Sequence, residues 1–433
     1  MSTSSSALIA PASGESQPAA RWFEDRAQAA FELAEQRGQL VFADLWAPWC
    51  HTCLSMREHV LDVRRVPSLG RVVLLAIDTE RAENASFLQQ YPVGVWPTFY
   101  LIDPRTRSVR GRWLGAASPE QLDRFIGDGA QPGSQAAILL SEADAAAAKR
   151  AWLQAAKFYR GALESAPAGW PRRGDVLVSL ASSLYKQESF EECLQLALSA
   201  VQWVPPSISA ADFAATTLGC AERAGEGSKD SARRVRQALA GLLQGLCASA
   251  APGASPDDQA DACGSLRRAR EALGDREGAR QAAEQGLAVI ERATLGAKPD
   301  SQLIYDWERT SNLVYLGRKR EALELLMQRE RDCPQSYNPA HYLARLYRDA
   351  GEWEAGLAAI ERALAKAYGP RRAGLVGVKV DLLRGAGRTS EARATLEQQL
   401  SEYRALPEGQ KQPEAEATVQ KRLSDWPLPQ LEH

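Results

Sequence analysis

Two cysteines separated by two residues, Cys50 and Cys53, stand where a short apolar run gives way to a helical pattern. The apolar run, residues 40 to 45, contains Asp44 and is typical of a buried strand. A strand that leads directly into a helix places Cys50 at the helix N-terminus, where free N–H groups and the helix dipole stabilise a thiolate and lower the thiol pKa from about 8.5. The pattern therefore predicts that Cys50 attacks a disulfide and that Cys53, one turn further along, resolves the mixed disulfide.

Residues 20 to 127 carry the alternating helix and strand patterns of an α/β domain. Apolar residues recur at a helical spacing from residue 20 to residue 37, and this pattern stops at Gly38. Pro119 opens a last helix. Strands are predicted at residues 40–45, 72–77, 98–102 and 109–114. The predicted order of elements is α, β, α, β, α, β, β, α.

Three motifs of this region resemble those of the thioredoxin superfamily and lie at compatible separations. They are the segment from Ala43 to Cys53 with its two tryptophans, Trp96-Pro97-Thr98 at the place of the family's cis-proline, and Leu114-Gly115-Ala116. The resemblance spans about residues 20 to 127 and implies an α/β thioredoxin fold. It also implies a redox-active disulfide between Cys50 and Cys53, with no separate cofactor.

The resemblance assigns roles to the side chains around the cysteines. Asp44 stands where thioredoxins carry the buried acid that relays a proton for the second cysteine. Pro97 is implied to be cis, and the backbone of Trp96 to pair with an extended substrate segment beside Trp49 and His51. The alternatives are that Asp44 is a buried acid without a catalytic part and that Trp49 serves packing alone.

The sequence departs from the family in two places, between the cysteines and at Leu74. His51 and Thr52 stand between the cysteines, where thioredoxins have Gly-Pro and protein disulfide isomerases have Gly-His. The resemblance therefore does not imply the reduction potential of either group for this cysteine pair. Leu74 stands where thioredoxins carry the lysine that accompanies the buried acid. Without that cation, the pKa of Asp44 is predicted to be raised.

The side chain of His51 has three possible roles. It can lower the pKa of the thiolate through a partial positive charge, which is the role we expect. It can instead be an exposed residue without a role, or join His59 and the cysteines as a zinc ligand. Because no second pair with ligand spacing follows, no metal site is predicted.

The Gly, Pro and Ser residues of the segment 128–135 predict a linker, and beyond it the strand signals vanish. Helix patterns follow, with inter-helix turns at Gly274-Asp275, Gly317-Arg318, Gly351-Glu352 and Gly387-Arg388. A small residue stands five positions after each of these glycines. The pattern resembles the tetratricopeptide repeat (TPR), best in Pro339 to Pro370. It predicts an all-α solenoid over 136–425, with about six helix pairs between 136 and 405; the pairing within 206–262 stays open.

The register of the best repeat places four polar residues on the concave face of the solenoid. They would form a locally basic strip suited to an acidic segment of a protein partner, and a merely solvated charged face is the alternative. The four residues are Asn338, His341, Arg345 and Arg348.

Composition excludes two classes of partner. The chain has 52 basic and 54 acidic side chains and a formal net charge of -2, whereas nucleic-acid binders usually carry a basic surplus, so no nucleic-acid partner is predicted. No run reaches the roughly 18 apolar residues that cross a bilayer, so no membrane span is predicted. Residues 1–19 are predicted to be a flexible leader, and 426–433 a tail that ends in a probable tag scar.

Seven cysteines are present, and five of them are scattered singly through helical sequence. An odd, dispersed set predicts that these five are unpaired buried residues in a reducing compartment. A cytoplasmic location is therefore expected, with a trimmed signal peptide and a periplasmic location as the alternative.

The sequence predicts a thiol–disulfide oxidoreductase that acts on protein substrates, with repeats that recruit the client or a partner. The alternative is a repeat scaffold whose thioredoxin fold senses oxidation or serves for docking.

Overall fold

The computed structural model describes residues 21–130 and 133–427. The N-terminal domain is built on a mixed sheet of five strands in the order β1-β3-β2-β4-β5. β1 and β2 run parallel to β3, whereas β4 runs antiparallel to both β2 and β5. The strands are β1 (Trp22–Glu24), β2 (Val41–Trp46), β3 (Val73–Asp78), β4 (Thr98–Ile102) and β5 (Val109–Leu114).

Four helices cover this sheet: α1 (Ala27–Arg37), α2 (His51–His59), α3 (Ala85–Gln90) and α4 (Pro119–Ala130). Because side chains alternate along a strand, Phe42 and Leu74 pack with α2 and α4 on one face of the sheet. Val41 and Leu75 pack with α1 and α3 on the other face. The sheet is thus buried on both sides, as the apolar run of β3 indicates.

The sequence pattern does not reveal the first strand. It predicts one helix over residues 20 to 37, whereas Trp22–Glu24 form β1 and only Ala27–Arg37 are helical. The three residues of β1 pair in parallel with Leu74, Leu75 and Ala76, a tertiary contact that their own pattern does not reveal. The later elements agree with the prediction: β4 and β5 have the predicted bounds, and β2 and β3 begin one residue later than predicted.

The remainder of the described chain is helical, and the predicted all-α architecture is confirmed. Its helices are α5 (Gln135–Ala148), α6 (Trp152–Ser165), α7 (Arg173–Lys186), α8 (Phe190–Ala200), α9 (Ile208–Arg223), α10 (Lys229–Ala248), α11 (Pro256–Ala272), α12 (Arg276–Thr294), α13 (Pro299–Gln302), α14 (Asp306–Tyr315), α15 (Lys319–Asp332), α16 (Asn338–Arg348), α17 (Trp353–Leu364), α18 (Gly369–Gly385), α19 (Thr389–Ala405) and α20 (Pro413–Ser424). None of these described helices is long and apolar enough to cross a membrane.

Consecutive helices pack against one another along this region, as in α11 with α12, α16 with α17 and α18 with α19. In the segment whose pairing was open, α9 packs against α7, α8 and α10, and α10 packs against α11. The predicted turn glycines Gly274, Gly317, Gly351 and Gly387 have φ values of 82°, 76°, 72° and 74°. Only glycine adopts this left-handed backbone without strain, which is why it recurs at the ends of these helices.

The prediction of five unpaired cysteines is wrong for four of them. Disulfides join Cys193 of α8 to Cys220 of α9 and Cys247 of α10 to Cys263 of α11, and Cys333 is free and buried. The bonded cysteines are 27 and 16 residues apart. Neighbouring helices bring them together across a turn, a juxtaposition that depends on helix packing and not on a spacing motif.

The predicted domain limits remain predictions at several points. The leader 1–19 and the tail from 428 onward lie outside the described residues, as do residues 131 and 132 of the predicted linker. Within the described chain, α4 ends at Ala130 and α5 begins at Gln135.

The helical region, here called the solenoid, contacts the N-terminal domain at points where glycine allows a close approach. A Cβ atom on Gly369 would lie 2.0 Å from the carbonyl oxygen of Glu80, and one on Gly409 would lie 1.8 Å from that of Ala85. Gly115 gives similar room to Asp212 of α9. Any larger residue at these positions would push the two domains apart.

Candidate active site

Cys50 and Cys53 are joined by a disulfide at the N-terminus of α2. Cys50 is the N-cap residue, with extended backbone, and its sulfur accepts a hydrogen bond from the N–H of Cys53 at 3.0 Å. In the reduced protein this position would expose the Cys50 sulfur to the helix dipole and to free N–H groups, which favour a thiolate. The cysteines are only 4% and 1% exposed, respectively.

Trp49 and Trp96 pack against the disulfide, and a cis-proline follows Trp96. The Trp96–Pro97 peptide bond is cis, and the carbonyl of Pro97 accepts a hydrogen bond from the N–H of Gly115 at 3.0 Å. The rings of Trp49 and Trp96 are 5.0 Å apart between centroids. Their indole N–H groups donate to Glu80 and Thr79, which fixes both rings in place. The structure thus brings the predicted Trp49 and Trp96 against the cysteine pair and confirms that the predicted Trp96–Pro97 bond is cis.

Asp44 is fully buried in β2 and has a cation partner that sequence reasoning did not find. Nε of Arg57 on α2 donates to Asp44 at 3.2 Å, and the guanidinium stacks over the ring of Trp46. Burial raises the pKa of Asp44 to about 6, and Arg57 opposes this increase only in part. The predicted direction of the shift agrees with the structure, but the predicted reason is wrong: Arg57 supplies a cation in place of the family's lysine, and burial raises the pKa in spite of it.

We expect Asp44→Asn to stabilise the protein above pH 6. The carboxyl binds its proton more tightly in the folded protein, with a pKa of about 6, than its ordinary value of 3.8. Folded protein therefore holds more protons between these values, and the stability contributed by the protonated acid is lost as the pH rises through this window. After the loss of the Arg57 contact is deducted, the gain from Asn at pH 7 is about 2 kcal/mol.

Urea unfolding at pH 3.5, 5 and 7 measures this effect. The wild-type and Asp44→Asn proteins should be closest in stability at pH 3.5 and should diverge towards pH 7. The exposed Asp230 of α10, replaced by Asn, is the matched control and should leave the wild-type pH dependence unchanged. Parallel pH profiles of wild type and Asp44→Asn would refute a raised pKa.

His51 is not an exposed residue without partners, because the solenoid contacts it. Its side chain is one quarter exposed, and its Nδ1 lies 3.3 Å from both carboxylate oxygens of Asp257 and 3.9 Å from Oδ2 of Asp261. Burial lowers the pKa of His51, but the negative charges of Asp261 and Asp257 outweigh it and raise the pKa to about 10. The imidazole is therefore a cation at neutral pH.

The side chains of His51, Asp257 and Asp261 also meet the geometric requirement for a metal site. Their ligand atoms lie within 4.8 Å of one another, and no other such group of His, Cys, Asp and Glu occurs in 21–130 and 133–427. A charge-assisted hydrogen bond between His51 and Asp257 accounts for the arrangement. The zinc alternative that included His59 is not supported, because His59 lies at the other end of α2, where it contacts Tyr305.

The solenoid covers the active site on several sides. Nδ2 of Asn338 donates to the carbonyl of Pro48 at 3.0 Å, and the guanidinium of Arg371 lies 4.9 Å from the ring centroid of Trp49. On the opposite side Asp212 accepts a hydrogen bond from the N–H of Ala116 at 3.1 Å. The loops that surround Cys50 are therefore already in contact with protein.

The predicted basic strip on the concave face is not an open surface. Asn338 and His341 are buried, with Asn338 used in the contact to Pro48. Arg345 stacks on Trp307, and Arg348 pairs with Asp349 and Asp381. These four side chains are engaged within the chain because the N-terminal domain and neighbouring helices fill this part of the solenoid.

A cavity of about 200 Å³ lies between the cysteine motif and the solenoid. His51, Thr52 and Ala116 line it from one side. The solenoid lines it with apolar residues, with Arg268 and with four acidic residues: Asp212, Asp258, Asp261 and Glu308. Burial, then the nearby charge of Asp258, raises the pKa of Asp212 to about 8. The space next to the cysteine motif therefore contains several carboxyl groups whose pKa values are raised by burial, together with the side chains of His51 and Arg268.

Sequence reasoning missed the solenoid residues that complete the site. Asp257 and Asp212 stand in helices whose pairing was left open, and nothing in their spacing points to the cysteines. The only local signal is a capping box, Ser255 with Asp258, which marks the start of α11. It locates the helix and does not reveal what the helix contacts.

Residues 27–130 match the model of a family described as a thioredoxin-like domain, which confirms that part of the sequence prediction. Protein disulfide-isomerase 1 of Dictyostelium discoideum is 26% identical over 103 residues, which cover 23% of this chain and 28% of that protein. The chain thus spans little more than a quarter of the length of this curated relative.

The solved structures similar to the chain include TPR proteins. A tetratricopeptide repeat protein from Parabacteroides merdae is 14% identical, with a TM-score of 0.43, over 67% of this chain and 97% of that chain. The TPR2AB domain of yeast Sti1, in a complex with pHSP90, is 14% identical, with a TM-score of 0.24, over the same shares of the two chains.

Proposed function

We propose that this protein is a thiol–disulfide oxidoreductase that acts on protein substrates through Cys50 and Cys53. The observation that carries the proposal is the position of the cysteine pair at the N-terminus of α2, packed against Trp49 and Trp96, in the same domain as cis Pro97 and the buried acid Asp44. A helix N-terminus activates one sulfur as a nucleophile, and the second sulfur, three residues on, can reach it.

In the reducing direction the Cys50 thiolate attacks one sulfur of a substrate disulfide. The new Cys50–substrate bond forms as the substrate S–S bond breaks, and the other substrate sulfur leaves as a thiolate. Cys53 then gives up its proton and attacks Cys50, which releases the substrate as a dithiol and leaves the Cys50–Cys53 disulfide. Two electrons pass from the cysteine pair to the substrate, and the opposite sequence oxidises a substrate.

Asp44 and Pro97 serve this exchange. Arg57, one turn after Cys53 on α2, hydrogen bonds to Asp44 and so ties the carboxyl to this helix. With a pKa of about 6, Asp44 can accept and return the Cys53 proton near neutral pH. The backbone at Trp96 would pair with an extended substrate segment, and Trp49 and His51 would flank it. The solenoid, which contacts these side chains, would select and recruit the client.

The reduction potential and turnover of the cysteine pair test this proposal together. The protein is equilibrated in glutathione buffers of defined poise, free thiols are counted, and reduction of insulin disulfides is followed in parallel. A potential near -270 mV would indicate a reductant of clients, and one near -120 to -180 mV a disulfide donor or isomerase. A pair that neither cycles in the buffers nor turns over insulin would refute the proposal.

The alternative is a scaffold whose thioredoxin fold senses oxidation or serves for docking. The low exposure of the cysteines and their cover by the solenoid favour it. Redox-dependent affinity for a partner without substrate turnover would distinguish this function from the first.

We also propose an oxidising compartment. The disulfides Cys193–Cys220 and Cys247–Cys263 are typical of proteins outside the reducing cytosol. They favour the periplasmic alternative over the cytoplasmic location that the cysteine count predicts.

A further inference from the structure

We propose that Asp257 and Asp261 of the solenoid are positioning residues for the thiol chemistry, because they hold His51 in its charged form beside Cys50. The inference rests on the proposed exchange function and adds a part of the active site that the thioredoxin-like domain does not contain. Helix α11 would thereby belong to the electrostatic environment of the cysteine pair.

Helix α11 is held firmly against the cysteine helix. The hydroxyls of Ser55 on α2 and Ser255, the N-cap of α11, are 3.0 Å apart, and both are buried. The capping box of Ser255 and Asp258 fixes the first turn of α11, on which Asp257 stands. Asp257 is 1% exposed and faces Nδ1 of His51 with both of its oxygens at 3.3 Å. The carboxylate is thus presented by a rigid element.

Without these carboxylates, the position of His51 would disfavour a cation. His51 is the first residue of α2, where the positive end of the helix dipole repels a positive charge. Partial burial acts in the same direction. The rise in the pKa of His51 to about 10 therefore depends on Asp261 and Asp257. An isolated histidine, with a pKa near 6.5, would lose its charge across neutral pH.

Other charged groups face the same imidazole and act with the pair. Glu308 of α14 also raises the pKa of His51, and the positive charge of His51 in turn offsets part of the rise that burial causes in the pKa of Asp258. Asp212 and Arg268 line the same cavity. Asp257 and Asp261 are the carboxylates with oxygens at 3.3 Å and 3.9 Å from Nδ1, and so they are the ones to change.

The consequence concerns the pH dependence of Cys50. A permanent cation on the adjacent residue adds no inflection of its own to the pH profile of Cys50 between pH 5 and 9, whatever the thiol and the nearby acids Asp44 and Asp212 contribute. If His51 instead loses its charge near neutral pH, the reactivity of Cys50 acquires an additional inflection there, because the electrostatic environment of the thiolate changes. The shape of the profile is therefore a readout that a purely structural role of α11 would not alter.

The test uses the reduced full-length protein, with 2D NMR of the His51 ring and iodoacetamide alkylation of Cys50 from pH 5 to 9. In the wild type we expect His51 to keep its proton at pH 8 and the Cys50 profile to contain no inflection that depends on His51. In Asp257→Asn/Asp261→Asn the midpoint of His51 should fall by about two pH units or more, with an additional Cys50 inflection near neutral pH. Adding His51→Gln to this double variant should remove the additional inflection.

The charge-conserving Asp257→Glu/Asp261→Glu variant is the rescue and should restore the wild-type titration. Circular dichroism checks that each variant is folded. A double Asn variant that is folded and titrates like the wild type would overturn the inference. So would a wild-type titration of His51 that EDTA alters, because a bound metal and not the ion pair would then set its state. Neither measurement requires turnover, so a failure of the proposed function leaves the inference testable by itself.

Discussion

Replacing Cys50 by Ser is expected to lower disulfide exchange by on the order of 10³-fold or more, whereas replacing Cys53 by Ser should trap the substrate. The sulfur at the N-terminus of α2 is the one that the helix activates, and a serine hydroxyl ionises far too weakly to replace it. In Cys53→Ser the attack by Cys50 still occurs, but no second sulfur releases the mixed disulfide. Under oxidising conditions the trapped client should migrate with the protein on a non-reducing gel and disappear with dithiothreitol.

The chain offers a matched control for this experiment. Cys333 is buried and free, and lies on the solenoid outside the site, so Cys333→Ser should retain full exchange and trap nothing. The double variant Cys50→Ser/Cys53→Ser should also trap nothing. Mixed disulfides that persist in the double variant would place the reactive sulfur in the solenoid and contradict the assignment of Cys50.

The parts of the fold that local pattern decides could be predicted from the sequence. β4 and β5 have the predicted bounds because a turn signal separates two apolar runs, and the inter-helix turns fall at glycines that must adopt positive φ. β1 could not be predicted, since three residues become a strand only through pairing with β3. The two disulfides of the solenoid could not be predicted for the same reason, because helix packing brings their cysteines together.

The candidate site also contains residues that could be predicted from the sequence and residues that could not. Cys50, Cys53 and Pro97 lie in motifs that are contiguous in sequence, and their arrangement could be predicted from a family resemblance. Asp257 is 206 residues away from His51, and no periodicity of either helix encodes their contact. The cover that the solenoid forms over the cysteines therefore became visible only in three dimensions.

The contacts of the solenoid over the cysteines are expected to slow the access of reagents to Cys50. A substitution of Gly369 can weaken these contacts. Gly369 begins α18 at φ 59°, and a Cβ there would lie 2.0 Å from the backbone oxygen of Glu80, next to Trp49. Gly369→Ala should force this contact apart. Overpacking of this kind costs about 1–3 kcal/mol, so alkylation of reduced Cys50 should accelerate by about tenfold or more.

Gly387→Ala is the matched control, because Gly387 has φ 74° but no atom within 4 Å of its Cβ position. Both variants bear the backbone strain of a left-handed alanine, and only one displaces the N-terminal domain. Gly387→Ala should therefore lose a similar part of its stability through strain yet keep the wild-type rate of alkylation. If folded Gly369→Ala reacts no faster than Gly387→Ala, the contact at Glu80 does not limit access to the cysteines. A selective acceleration would show that the contact between the solenoid and Glu80 limits access to Cys50.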